Sequence, residues 1–266
     1  MADIALDPDL LVGPLMAIGI GMARPMGLAL VVPVFTRMDV GLPIRAGFAM
    51  ALALPNFPPL LHMLQTNPPP TMRLAFLGAK EAVVGILLGL LFGLPIWAMQ
   101  SAGELLDTQR SAPSSGGNDP GTGGQMSGTA GLISTTASTL FVVAGGLGTM
   151  AAAIYSSFSM WPLLRMSPHI APGATGVALA MLDQFTSVMV MTAAPIMLAM
   201  LMADAAVILV GKAVPKLGIF DIAATLRNLV FVGAMVLYAV FLMDVIKVQL
   251  GMLQHSGARM QELVKP

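Results

Sequence analysis

Apolar residues run along the chain in six long blocks, at residues 10–35, 44–64, 77–99, 132–158, 177–203 and 229–250. Each block reaches the roughly 20 residues a helix needs to cross a bilayer. Two stretches, 82–103 and 132–158, contain no charged side chain at all. The pattern predicts an all-α fold of about six apolar segments. Several of these segments are interrupted. Arg24-Pro25 sits at the middle of the first, and Pro55, Pro58 and Pro59 break the second. The fifth carries Asp183 and Pro195 and ends at Asp204, while the sixth ends at Asp244 and Lys247. A proline inside a helix removes a backbone hydrogen bond and kinks or ends it. Kinked helices and helical hairpins are therefore expected in place of six straight rods.

Between the third and fourth blocks lies a compact polar stretch. It opens as Gly103-Glu104-Leu105-Leu106-Asp107-Thr108-Gln109-Arg110 and continues through a loop over 111–131 with seven glycines in twenty-one residues. The loop has one charge, Asp119, beside Pro120. Glu104, Asp107 and Arg110 are three apart, so on a helix they share a face and Asp107 can pair with Arg110. They form either a helix end capped by its own charges or a bracket fixing the start of the loop. Gly- and Ser-rich composition gives a flexible backbone. A structureless connection this long exceeds what joining two helices requires, which makes a lid or plug plausible beside a passive connector.

Composition makes the chain an integral membrane protein or the buried part of a membrane complex. Only 10% of its 266 residues are charged, 56% are hydrophobic, and mean hydropathy is +0.84. Soluble domains carry about 25% charged residues. The start of the chain is acidic and lacks the basic region of a signal peptide, so insertion is expected to rely on the apolar blocks themselves. Net charge is zero and no basic patch forms, which argues against nucleic acid. Without cysteine there is no disulfide or thiolate chemistry. The 23 methionines are either apolar filler or a compliant surface for varied polypeptides. With six simple spans, Arg37, Arg45, Arg110, Lys212, Lys216 and Arg227 fall on one side. Arg73, Lys80, Arg165, Lys247, Arg259 and Lys265 fall on the other. Ordinary polytopic proteins show a clear cytoplasmic excess of such residues, so this tie points away from conventional insertion.

Smaller signals concern neighbours. Gly85, Gly89 and Gly93 form one smooth helical stripe, and Gly13, Ala17 and Gly21 form another. Such stripes let a second backbone approach closely, from this chain or from another subunit. Lys80-Glu81 opens the third block, as an interfacial anchor at a helix start or as part of an ion pair between helices inside an assembly. Asp204 and Lys212 belong to a second polar island, 204–227. Catalytic patterns are missing: His62, His169 and His255 are far apart, and no His-Glu-x-x-His, Gly-x-Ser-x-Gly or phosphate-binding Gly-Lys-Ser/Thr pattern occurs. The chain is not expected to be an enzyme or to hold a metal or cofactor.

The stretch Gly103 to Arg110 resembles the central signature of the FliR/SctT family, the T subunit of the type III secretion export apparatus. Further likenesses follow in order: Arg24, Pro33, Arg45, Pro55, Lys80-Glu81 with Gly85 and Gly89, Asp119-Pro120, Met160-Trp161-Pro162, Pro195, Asp204, and Lys212-Ala213-Val214-Pro215. The Asp-Thr-Gln-Arg form is closer to the virulence or symbiosis branch than to the flagellar one. Ser111 departs from the family, which usually has glycine there. The resemblance implies one FliR/SctT-type domain over residues 1–266, serving as a single-copy subunit of the secretion basal body at the bacterial inner membrane. It implies a core built with SctR and SctS, contacts with SctU, SctV and the inner-rod protein, and secreted polypeptides in transit. It further implies that the loop is a pore plug, with Arg110, Ser111, Ser114, Gly116, Gly117, Asn118, Asp119, Pro120, Gly121, Gly123, Gly124 and Met126 in it and Gly103, Glu104 and Asp107 anchoring its base. Arg24, Lys80, Glu81, Gly85, Gly89, Asp204 and Lys212 are the candidates for subunit packing or ion pairs. Two other readings stay open: a stand-alone secondary transporter using Arg24, Asp183 and Asp204 within broken helices, and a scaffold without a pore.

Overall fold

The structure is a computed structural model that describes residues 8–66, 69–110, 127–166, 174–213 and 219–262. Every regular element among the described residues is helical, and they divide into two compact units. The first unit is Met1–Gly93, Gly145–Pro172 and His255–Pro266, and the second is Leu94–Ala144 and Gly173–Gln254. Among the described residues, five helical stretches are long and apolar enough to cross a membrane, or six if a pair of helices broken near residue 145 counts as one span.

In the first unit, α1 (Pro8–Val31) is followed by the short α2 (Pro33–Arg37), α3 (Leu42–Ala53), a 3₁₀ turn (Leu54–Asn56) and α4 (Phe57–Thr66). The second apolar block is thus broken at Pro55, as its prolines predict. The first is not broken at Pro25: α1 runs through Pro14 and Pro25 and yields only after Val31. Packing accounts for the difference. α1 lies against α3 and α4, with Ala17, Ile20, Leu60 and Leu64 forming the buried seam. It also touches the first part of α5 (Thr71–Gln109) along its backbone. A Cβ added at Gly85 would collide with the carbonyl of Arg24, one at Gly27 with the carbonyl of Ala82, and one at Gly89 would stand 3.0 Å from the carbonyl of Leu28. Gly85 and Gly89 therefore pack within the chain, and small residues allow the approach. Arg45 fixes the turn before α3 by donating to the carbonyls of Val40 (2.8 Å) and Phe35 (3.1 Å).

α7 (Gly146–Met160) completes this unit. The fourth apolar block reads as continuous, but the structure divides it. α6 (Gly128–Val143) ends two residues before Gly145, which adopts φ 82° and so opens α7 from a left-handed conformation. Glycine occupies that region without the Cβ clash other residues meet.

The second unit contains the rest of α5, α6, α8 (Ala174–Ala213) and α9 (Ile219–Glu262) up to Gln254. Its core is Ala102 and Leu106 from α5, Ala193, Ile196 and Met200 from α8, and Phe231 from α9. Gly103 meets the start of α6 so closely that a Cβ would lie 2.5 Å from the Cα of Ala130. Only 28% of the apolar window of α8 and 17% of that of α9 is buried. These helices therefore turn most of their apolar surface outward, Met202 and Leu237 among it.

Candidate functional site

The signature stretch ends α5, and its acidic residue reaches across to the helix that follows the loop. Asp107 is buried, 2% exposed. Its Oδ1 accepts from Arg110 Nε (2.7 Å) and Thr129 Oγ1 (2.6 Å), and its Oδ2 accepts from the backbone N–H of Thr129 (2.8 Å). Arg110 Nη2 lies 2.6 Å from the same Oδ1. Thr129 is the second residue of α6, where backbone N–H groups have no partner within the helix. Ser127 caps the helix conventionally, its Oγ accepting from Ala130 N (3.4 Å). Asp107 adds a second cap from another helix, and its negative charge suits the positive end of the α6 dipole. One carboxylate therefore joins the chain just before the loop to the chain just after it.

The end of α5 is also fastened to α8 and α9. Gln109 Nε2 donates to the carbonyl of Met197 (3.2 Å), Arg227 Nη1 donates to the carbonyl of Gln109 (3.2 Å), and the Arg110 guanidinium lies 4.3 Å from the centre of the Phe231 ring. Arg227 is itself held by Asp204 at 2.9 Å.

A second charged cluster lies in the first unit. Arg24 and Glu81 are both fully buried and form a bidentate pair, Nε to Oε2 at 2.7 Å and Nη2 to Oε1 at 3.0 Å. Arg24 also donates to Ser157 Oγ (2.8 Å) and to the carbonyl of Trp161 (2.9 Å), with Phe158 against its guanidinium at 4.1 Å. Lys80 pairs with Glu81 Oε1, the oxygen that also accepts from Arg24 Nη2, and donates to the carbonyl of Leu163 at 2.7 Å. Two cations thus face one carboxylate. The remaining positive charge meets carbonyls just past the C-terminus of α7, where partial negative charge accumulates. Lys80 and Glu81 thus belong to an ion pair between helices of this one chain.

The remaining candidates fall elsewhere. Glu104 does not join Asp107 and Arg110: it is exposed and accepts from Gln100 Nε2 one turn back (3.0 Å). Lys212 and Asp183 are exposed. Ser111, Ser114, Gly116, Gly117, Asn118, Asp119, Pro120, Gly121, Gly123, Gly124 and Met126 lie outside the described residues. Sequence reasoning passed over Thr129, Ser127, Ser157 and Phe231, and it did not pair Arg24 with Glu81 or Asp204 with Arg227. A Ser two residues ahead of Thr129, just before an apolar run, is the one local signal that could have been read as a helix start.

A family model described as bacterial export proteins, family 1, matches residues 15–253. Yop proteins translocation protein T of Yersinia pestis is 26% identical over 237 residues, covering 89% of this chain and 90% of that protein. Surface presentation of antigens protein SpaR of Salmonella typhimurium is 28% identical over 222 residues, 80% of this chain and 81% of that one. Secretion system apparatus protein SsaT of the same organism is 30% identical over 101 residues, 37% and 39% of the two chains. A match that takes in α1 through most of α9, with the Asp107 and Arg24 clusters inside it, makes the chain a member of bacterial export proteins, family 1, the FliR/SctT family.

Proposed function

We propose that the chain is a component of a type III secretion export apparatus, embedded in the bacterial inner membrane, and that its 110–128 loop closes the path taken by exported polypeptides. Family membership and the relatives' names support the first part, and the five apolar helices support a membrane setting. The observation that carries the second is the loop root, where buried Asp107 binds Arg110 on one side and Thr129 on the other. A connector that only had to join two helices would not require both its ends to be fastened to one buried carboxylate. A loop that must hold a position against a passing chain does require it.

On this reading the chain performs no chemistry of its own. It occupies a single-copy position beside SctR and SctS, with SctU, SctV and the inner-rod protein as further neighbours. The outward apolar faces of α8 and α9 are free for lipid or those subunits. The stand-alone transporter reading loses support, because two of its three intramembrane charges, Arg24 and Asp204, are neutralised by Glu81 and Arg227 inside the chain. The test is gentle purification of tagged protein from native membranes, with the co-purifying chains counted by mass spectrometry. One copy of this chain with several copies of two small apolar subunits is the expected result. A folded monomer or homodimer would contradict it. Replacing Gly116 and Gly117 by proline is expected to lower secretion without changing that assembly.

A further inference from the structure

The gate reading assigns the loop its role but leaves open what sets it free. Beside the bonds of Asp107 and Arg110 to Thr129 of α6, three contacts tie the end of α5 to α8 and α9: the Met197 carbonyl on Gln109 Nε2, Arg227 on the Gln109 carbonyl, and Phe231 beneath Arg110, the residue that follows α5. The Gln109 carbonyl belongs to the final turn of α5, whose C=O groups have no partner within the helix. Arg227 supplies that partner and a cation at the negative end of the helix dipole. Arg227 is held in place by Asp204, which joins α9 to α8. Asp204 does not touch α5 in any of these contacts. It acts only through Arg227.

We propose that α8 and α9 form the latch of the loop, with Arg227 as the positioning residue that ties their relative register to the loop root. A shift of one helix against the other breaks the Asp204–Arg227 pair, frees the Gln109 carbonyl, and slides Phe231 from under Arg110. Arg110 then loses the support that keeps it on Asp107, and the closure at Thr129 loosens. Because α8 and α9 expose most of their apolar surface, a neighbouring subunit pressing on them has a direct mechanical route to the loop. This inference rests on the gate reading.

The two fail separately in one experiment. Export apparatus carrying Arg227→Gln, Arg227→Lys, Asp204→Asn, or Asp204→Asn with Arg227→Gln is assembled in cells beside wild type and a deletion of loop residues 114–124. Leakage of a small solute across the membrane is measured, with assembly checked by co-purification. Loss of a charge-assisted hydrogen bond shifts an open–closed balance by about tenfold or more. Arg227→Gln is therefore expected to leak at least about tenfold more than wild type. Asp204→Asn, which keeps the bond to the Gln109 carbonyl, should fall between the two, and Arg227→Lys should recover part of the seal. The double variant should leak no more than Arg227→Gln alone, since Asp204 acts through Arg227. A role confined to folding would lower assembly and leave no such ordering among assembled complexes. If the loop deletion leaks while assembled Arg227→Gln does not, the latch is wrong and the gate stands. If the deletion does not leak, both fall. If no Arg227 variant assembles, Asp204→Asn decides: leakage at the wild-type level overturns the latch.

Discussion

Glu81→Gln is the sharpest perturbation of the first unit. The substitution keeps the side chain's shape and removes its charge, which leaves Arg24 fully buried and Lys80 only 9% exposed with no anion between them. In the native protein the carboxylate accepts two bonds from Arg24 and pairs with Lys80. Removing one partner of a buried ion pair costs about 3–5 kcal/mol, because the remaining charge stays desolvated. Two like charges at about 4 Å repel each other by about 4 kcal/mol at an effective dielectric constant near 20. The carbonyls of Trp161 and Leu163 offset part of that repulsion, so the lower figure is expected to hold: a loss of about 3 kcal/mol. Lys80→Met should cost less than Glu81→Gln, because it leaves the Arg24–Glu81 pair with matched charges. The assay is unfolding of the purified protein in mild detergent, followed by helical circular dichroism. If Glu81→Gln lies within about 0.5 kcal/mol of wild type, the range of ordinary surface changes, the buried-cluster argument is refuted.

Three further outcomes are expected. Gly85→Val drives a side chain into the carbonyl of Arg24, and overpacking of this kind costs about 1–3 kcal/mol. The same unfolding assay should show it, with Gly148→Ala on an open helix face as a control that is neutral or stabilising by up to about 1 kcal/mol. Thr129→Val removes the hydroxyl bond to Asp107 but keeps the backbone one, and should loosen the loop root by about 1–3 kcal/mol. Hydrogen exchange at the start of α6 reports it, and unchanged protection there would count against the loop-root reading. Gly145→Ala forces a Cβ into a left-handed conformation and should destabilise by about 1–2 kcal/mol, measured as a lowered thermal midpoint.

The sequence carried the all-helical class, the membrane setting and the break at Pro55, because apolar runs and prolines are local signals. It carried half of the loop root: the three-residue spacing of Asp107 and Arg110 placed them on one face. The other half, Thr129, lies across a glycine-rich loop, and no helical periodicity spans that gap. Arg24 and Glu81 are separated by 57 positions, and only the backbone contact of α1 with α5 over Gly27, Gly85 and Gly89 brings them together. Pro25 misled in the opposite sense. Helix interiors in apolar surroundings tolerate proline when neighbouring helices resupply packing and hydrogen bonds, and buried α1 has such neighbours. The division of 132–158 at Gly145 was hidden because a glycine pair in an apolar run reads equally as a packing stripe. Glu104 shares a helix face with Asp107 in spacing alone, and its exposure leaves it pairing locally with Gln100.

The account stands most directly on whether the loop seals a pore. Leakage of a small solute should be measured in cells that assemble the apparatus around this chain with residues 114–124 removed. The account predicts a clear leak through a complex of normal composition. A complex of normal composition that stays tight and secretes normally would contradict it.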